Sequence, residues 1–485
     1  MAFTESSFII KNDGTLWGCG WNGSGTLGLG NTSSISQFTK ITTNTDDIKS
    51  IHGGYDYAIM LKNDGTLWGC GTNSGQLGLG DNSNRYIFTQ IINNVKSVYC
   101  GYMHIIILKN DSTLWGCGNN TYGQLGLGDK SNRNIFTQIT TNADNIKSVY
   151  CGERHTLISK NDDTLWVCGD NTYGQLGLGD KSVRTTFTKI IANVNDIKSV
   201  YCGSNCTLIL QNDDTLWGCG SNGGGKLGLE SQSGSTTFTI INTNPGNVKS
   251  VYCGNDHTLI LQNDGTLWGC GANGYGQLGL GDTNNRKIFT KIISDVKSAY
   301  CGDDYTLILK NDGTLWGCGD NGYGQLGLGD GTNRYTFTQI TTNVDNVKKF
   351  ANDYPSPPSV IKIYDTNIGY VETLDTNNFR NIPVNKFEKI KVLYAKPDNT
   401  ILNCLISFDQ KQTWKTFDGS TWITVSDTSG TNIIVNCMGI ETLNSLSKDE
   451  LIQGGFTGSL DFKCVMKTNN VNKTPSITKI YIEYK

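Results

Sequence analysis

The chain has 485 residues with a formal net charge of −3 and only seven arginines among 40 basic residues. A surface that holds a polyanion needs a clustered basic excess, so nothing here points to a nucleic-acid partner. The longest apolar runs are strand-sized, which excludes membrane insertion through helices, and 59 glycines, against a usual share of ~7%, indicate a chain dense in turns.

The opening residues, Met1 to Lys11, have neither a basic start nor an apolar run of signal-peptide length. They predict a protein made in the cytoplasm without a signal peptide. From there a unit of about fifty residues recurs seven times. Its anchor is a Thr-Leu-Trp phrase, with Trp17, Trp68, Trp115, Trp166, Trp217, Trp268 and Trp316 spaced by 51, 47, 51, 51, 51 and 48 residues. A fixed period of this length means a stacked or circular array.

Within the clearest copy, extended runs at 248–253, 257–262, 266–271 and 287–292 are separated by Gly, Asn and Asp, and none has helical spacing. They predict a four-stranded antiparallel meander. Asn263, Asp264 and Gly265 suit a tight hairpin with positive φ; Ser112, Asp163 and Asp214 replace the glycine in three copies. Alternation puts Trp268 and Cys270 on one face and Leu267, Gly269 and Gly271 on the other. Both faces must therefore be covered, by neighbouring blades, and the glycines are expected to make room for the neighbour's Trp rings.

The two ends of the array predict a ring. Counting back from Trp17, Ala2 falls where the first strand should end, so the first blade lacks its opening strand, while 347–352 aligns with an opening strand one copy beyond the last Trp. The late strand completes the early blade, and an open solenoid with polar caps is not expected. The fold class is thus all-β: a seven-bladed β-propeller closed by N- and C-terminal strands, followed by a small β-sandwich with one short helix.

Twelve of the 16 cysteines sit at two repeated strand positions: Cys19, Cys70, Cys117, Cys168, Cys219, Cys270 and Cys318, and Cys100, Cys151, Cys202, Cys253 and Cys301. They read as small apolar fillers rather than disulfides, and the pair Cys202 and Cys206 is too little for zinc. His104, His155 and His257 share one repeat position, held elsewhere by Tyr57, Cys206 and Tyr305, which suits a hydrogen-bonded structural residue better than a catalyst. Asp13, Asp64, Asp111, Asp162, Asp213, Asp264 and Asp312 are all turn residues. No catalytic set, phosphate loop or metal constellation stands apart from the repeat, so no enzyme, cofactor or metal is expected.

Side chains that vary between copies are free to serve a partner. Two places vary: the loop between the fourth strand and the next Lys-Ser, and the two residues after Cys-Gly. The latter are Tyr55, Asp56, Tyr102, Met103, Glu153, Arg154, Ser204, Asn205, Asn255, Asp256, Asp303 and Asp304. Lying between the first and second strands of every blade, they should reach one face of the ring. Aromatic and Met side chains among polar ones suit a partner-binding rim.

Pro355, Pro357 and Pro358 end the pattern, because prolines cannot continue a sheet ladder. The predicted domains are a propeller at 1–354, a linker at 355–358 and a module at 359–485. In the module, strands are expected at 360–364, 386–395, 400–408, 413–425, 432–437, 459–467 and 476–484, with a helix at 447–453 opened by Ser447 and Glu450 in capping-box spacing.

The phrases Tyr-Gly-Gln-Leu-Gly-Leu-Gly-Asp (122–129, 173–180, 275–282 and 323–330), Thr-Leu-Trp-Gly-Cys-Gly and Cys-Gly-x-x-His-Thr-Leu resemble the repeat of the regulator of chromosome condensation family over about residues 1–352. The resemblance implies a seven-bladed propeller with a binding role, in a family whose members include an exchange factor, chromatin binders and an inhibitor of β-lactamases. Ser407 to Trp414 resembles the hairpin-stabilising Asp-box of sialidases, with Lys411 where that family has glycine. From there through Trp422 and 439–448 the chain resembles a C-terminal module of tail proteins from phages of clostridia and related bacteria. Together these imply a non-enzymatic receptor-binding protein of a phage tail or similar particle, made in the bacterial cytoplasm and ending in the virion tail. Its partners would be a bacterial surface protein or glycan at the propeller and other tail proteins at 359–485, in a chain able to homo-oligomerise. The alternative is a cytoplasmic bacterial scaffold or regulator that holds a protein partner on the propeller.

Overall fold

The computed structural model describes residues 5–350 apart from 192–196, 232, 243–244 and 346, and beyond them the backbone of the strands named below. The chain divides into two units, Met1–Tyr354 and Pro355–Lys485. The first is a seven-bladed propeller of four-stranded antiparallel sheets. Its sixth blade pairs Val248–Cys253, His257–Gln262, Leu267–Gly271 and Arg286–Ile293 in chain order, each boundary within one residue of the expected one. Among the described residues the only helical element is the turn Gly223–Gly225.

Each hairpin between the second and third strands follows from local chemistry. Gly265 has φ +82°, and Ser112, Asp163 and Asp214 adopt the same left-handed region at +67°, +61° and +66°. The turn aspartate then fixes the anchor: Asp13 Oδ1 accepts from the Thr15 hydroxyl at 2.7 Å, and Thr15 Oγ1 accepts from Trp17 Nε1 at 2.9 Å. The same relay holds Trp68, Trp115, Trp166 and Trp316. At Trp217 and Trp268 the indole donates instead to Gln211 and Gln262.

Successive blades cover each other's faces. Ile59, Leu61, Leu67 and Leu77 of the second blade pack against Val98, Ile107, Cys117 and Trp115 of the third. The strand glycines have a different reason from the one expected. A Cβ on Gly69 would meet Ile91, Ile59 and Leu77 of its own blade at 2.8, 2.9 and 3.1 Å, so the glycine makes room for its own aliphatic side chains rather than for the neighbour's Trp. The repeated cysteines are fillers that also donate: Cys70 Sγ–H reaches Thr26 O at 3.2 Å and Cys117 reaches Gln76 O at 3.1 Å, each on the preceding blade. All seven blades repeat this contact, the ring-closing one being Cys19 to Gln325 O at 3.6 Å.

Closure is by Val347–Phe350, which pairs antiparallel with Ser6–Lys11 (Ile9 opposite Phe350) to complete the first blade. Phe350 is buried against Tyr300, and Lys11 pairs with Asp345 at 3.1 Å as Lys62 pairs with Asp46 at 2.7 Å. Between the last blade and the first, Gly327 (φ +73°) lies so close to Phe38 that a Cβ would approach its ring to 2.6 Å. The seam has the chemistry of the other interfaces.

The repeat-position histidines are structural. Nε2 of His104, His155 and His257 lies 3.0 to 3.1 Å from the hydroxyl of Thr156, Thr207 and Thr306 on the next blade. Burial pushes their pKa values down to about 3, 4 and 4. Tyr305 takes the part at the seam, donating to Ser6 O at 2.6 Å.

In the second unit Thr400–Ser407 pairs with Ser459–Thr468, and Phe387–Ala395 with Ser476–Tyr484. The single strand expected at 413–425 is two, Trp414–Phe417 and Trp422–Val425, which pair antiparallel with Phe417 opposite Trp422. The strand expected at 432–437, the helix at 447–453 and the face-to-face packing of a sandwich lie outside the described residues.

Two outcomes are expected. Phe350→Ala removes a fully buried ring from the closing strand and should cost about 3–5 kcal/mol in chemical denaturation; an unchanged midpoint would show that the seam carries no stability. Of the 13 described cysteines all are buried except the half-buried Cys202 and Cys253, and burial raises the thiol pKa values, that of Cys151 to about 12. Mild alkylation of the native protein followed by peptide mapping should find those two modified first and the others only on denaturation.

Candidate functional site

The first strands of neighbouring blades run side by side and line the axis, while the fourth strands are the most exposed. In an antiparallel meander the loop after the first strand and the loop after the third leave the same edge of the sheet. The six loops after the first strands and the seven after the third therefore gather on one face of the ring, the inner loops around the mouth of the axis and the outer ones around them.

The variable pairs after Cys-Gly sit at this mouth and split by position. The first residue of each pair turns toward the axis and the next blade: Tyr55 and Tyr102 stack with ring centroids 4.5 Å apart, Tyr55 N donates to Tyr102 O at 2.8 Å, Tyr102 N donates to Glu153 O at 3.2 Å, and Ser204 Oγ donates to Asn255 Oδ1. Asp303 stands in the same inner position. The second residue of the pair leans on the outer loop of the preceding blade. Asp56 is buried and its carbonyl accepts from Thr26 Oγ1 at 2.9 Å; Asp256 pairs with Lys226 at 2.8 Å; Asp304 accepts from Gln277 Nε2 at 3.0 Å; Arg154 lies over the Tyr122 ring at 5.3 Å while pairing with Glu153 at 3.1 Å. Met103 and Asn205 are half-buried, and their carbonyls accept from the outer loops of their own blades, Asn119 N and Ser221 N, at 2.8 Å.

The mouth is acidic, and its carboxylates feel each other across the axis. Burial, aided by Asp304, Glu5, Glu153 and Asp56, pushes Asp303 up to about 8. Those neighbours belong to the seventh, first, fourth and second blades. Burial and the nearby Asp56, Asp320 and Asp304 raise Glu5 to about 7, while burial with Asp256 and Asp320 raises Asp304 to about 6. Burial also holds Glu153 above the usual carboxylate range. Among the described residues Arg154 and Lys226 stand against these, both already paired.

Reading the variable positions missed two sets of residues. Glu5 precedes Trp17 by the twelve residues that separate Asp56 from Trp68, but the first blade lacks the Cys-Gly phrase that marked the others. The outer-loop tyrosines Tyr173, Tyr275 and Tyr323, with Tyr86 and Tyr335 at the start of fourth strands, are 46–50% exposed. Three of these belong to the repeated phrase, which made them look like blade structure.

Residues 2–242 match the RCC1-like domain. Residues 248–277 and 296–325, and 264–309 and 312–351, match the regulator of chromosome condensation (RCC1) repeat. The propeller is built of RCC1 repeats. Among curated relatives, the X-linked retinitis pigmentosa GTPase regulator of Canis lupus familiaris is 33% identical over 138 residues, covering 28% of this chain and 14% of that protein. The probable E3 ubiquitin-protein ligase HERC4 of Rattus norvegicus is 32% identical over 151 residues, 30% of this chain and 14% of that one. The matched RCC1 stretch is thus a small part of each of these relatives. Among solved structures, human WBSCR16 superposes with a TM-score of 0.60 at 21% identity, over 70% of this chain and 94% of that one. Yeast RCC1 (Prp20), solved with Kap60, gives 0.62 at 18% identity over 71% and 86%. These two likenesses are of fold.

A carboxyl whose pKa is higher folded than unfolded keeps its proton better in the folded state, so its stabilising effect is full below the unfolded value and is lost as pH rises through the folded one. For Asp303 that window runs from 3.8 to about 8. Asp303→Asn is therefore expected to match the parent melting temperature near pH 4 and to exceed it progressively up to pH 9. Equal melting temperatures at pH 9 would mean that Asp303 is not confined among the other carboxylates.

Proposed function

We propose that this RCC1-repeat propeller is a non-enzymatic recognition module that holds a protein partner on the face described above, as a scaffold or regulator. The observation that carries the reading is the convergence of the six variable inner loops on one mouth, where Tyr55 and Tyr102 stack half in solvent and carboxylates are crowded together. Ring and hydroxyl at a partly desolvated centre are what interfaces use as anchors. The exposed outer tyrosines extend the same face, and the relatives support a regulatory setting, since one of them is named a GTPase regulator.

A more specific version makes the partner a bacterial surface component and residues 359–485 the attachment to other tail proteins. It rests on the resemblance of the C-terminal stretch to phage tail modules. The RCC1 relatives favour the scaffold or regulator, which we therefore place first, with the protein retained where it is made.

The test is proximity cross-linking with the full chain as bait, followed by affinity measurement on the recovered protein. Tyr102→Ala should weaken binding by about 2 kcal/mol or more, the range of an aromatic hot spot, and Tyr55→Ala by less, since Tyr55 is the more exposed of the stacked pair. Partner binding that survives both, but fails when the opposite face is altered at Asn263 or Lys249, would overturn the assignment.

A further inference from the structure

On the face opposite the mouth, where the hairpin turns and the connections between blades lie, two lysine positions recur. One ends the second strand and lies over the anchor tryptophan; the other is the second residue of the first strand. The fourth blade shows both paired. Lys160 Nζ stands 4.5 Å from the centre of the Trp166 ring and pairs at 2.7 Å with Asp144, in the connection that precedes the blade. Lys147 pairs at 2.7 Å with Asp163, the left-handed residue of the hairpin turn. Lys11 and Lys62 repeat the first pair, and Lys198 with Asp214, at 2.9 Å, repeats the second.

The third blade keeps both lysines and neither carboxylate. Only Asn93 and Asn94 separate Arg85–Ile92 from Val95–Cys100, whereas residues 140–145 form the corresponding connection before the fourth blade, so the stretch that carries Asp144 has no counterpart. Ser112, at φ +67°, holds the turn position of Asp163. Lys109 still lies 4.0 Å from the Trp115 ring, but it is half-buried where Lys11, Lys62 and Lys160 are buried, and Lys96 is exposed. Among the described residues neither ammonium has an ion-pair partner. Lys49 Nζ donates to Lys96 O at 3.0 Å, which brings a third ammonium to the same strand. The one carboxylate in this hairpin and connection, Asp111, is engaged by Thr113, accepting from its N–H at 2.9 Å and its hydroxyl at 2.6 Å.

The blade itself does not call for a charge over the tryptophan. In the sixth blade, whose connection has Gly246 at the place of Asp144, Gln262 replaces the lysine and donates to Gly246 O at 3.0 Å. The seventh blade keeps Lys310 beside a two-residue connection, but one of those two residues is Asp295. The third blade is thus where both lysines stand with neither the carboxylates nor the neutral replacement found elsewhere.

We propose that this end of the third blade docks an acidic segment of a protein partner, whose Asp or Glu side chains meet Lys109 and Lys96 as Asp144 and Asp163 meet Lys160 and Lys147. The pairs inside the fourth blade set the chemistry at one carboxylate to each ammonium. Lys109 is already held over an indole, so it loses little freedom on binding. An exposed ion pair contributes only a few-fold in affinity, so a lone carboxylate would not be retained. Several carboxylates on one chain reinforce each other, which makes the occupant a polypeptide. This surface is separate from the mouth and does not rest on the reading of that face.

The probe is a fluorescein-labelled decapeptide of alternating Glu and Gly, titrated with the full chain and read by anisotropy. It should show saturable binding that weakens with salt. Lys96→Gln with Lys109→Gln should weaken it about fivefold or more, whereas Lys147→Gln with Lys160→Gln, at lysines already paired, leaves it unchanged. Ser112→Asp restores the turn carboxylate in a backbone conformation that Asp163 adopts at φ +61°. That variant should keep the parent melting temperature and weaken the peptide about two- to fivefold by engaging Lys96, while the neutral Ser112→Asn binds as the parent does. Tyr102→Ala, at the mouth, should have no effect.

Equal binding by the parent and the variant lacking both Lys96 and Lys109, or equal binding of a Lys and Gly decapeptide, would overturn the proposal. So would Ser112→Asp binding the peptide as tightly as Ser112→Asn. A labelled oligothymidylate held more tightly than the peptide through the same two lysines would assign the surface to nucleic acid and overturn the choice of partner. Dimers of the parent in sedimentation that vanish in the double lysine variant would overturn it in favour of a second copy of this chain.

Discussion

Everything in the propeller depends on one repeated constraint: each blade has two faces that water would penalise, and only the next blade can cover them. The cover is specific as well as apolar. The carbonyl in the middle of one outer loop accepts from both a threonine and a cysteine of the following blade, as Gln124 O does from Thr156 Oγ1 at 2.8 Å and Cys168 Sγ at 3.5 Å. Beside it, a loop glycine lies flat on the following blade's phenylalanine. Directional bonds of this kind set the rotation from blade to blade, which apolar packing alone would leave loose.

A ring with such joints is only as closed as its last one, because an unsealed seam exposes a sheet edge and two apolar faces together. Here the first blade takes its opening strand from the far end of the repeat array, and the seam reuses the bonds found elsewhere: Asn343 Nδ2 donates to Phe38 O at 3.0 Å as Asn44 Nδ2 does to Phe88 O at 2.9 Å. Blade contacts are carried by strands, outer loops, turns and the backbone of the inner loops, which leaves the inner-loop side chains as the ones that differ from copy to copy.

The mouth works against the fold that carries it. Half-buried carboxylates facing one another raise the free energy of the empty protein. Local violations of this sort collect where a surface is kept for something else.

Much of the blade was legible in the residues, because it is made of short-range chemistry repeated seven times. The turn aspartates, the positive-φ turns and the strand limits are each set by residues close together in the chain, and the missing first strand followed from counting. Other features depended on residues far apart in the chain. Glycine at position 69 could have served the neighbour's Trp or its own blade's Ile59 and Ile91, and only packing chose the latter. The variable pairs were visible as a set, but their division into axis-facing and outward-leaning members came from the meander's geometry and the tilt of each loop onto the preceding blade. Glu5, Asp303 and Glu153 are as much as 298 residues apart. Nothing local relates them, since a repeat period states what each blade is and only closure of the ring places blades one, four and seven around the same opening, where their charges meet.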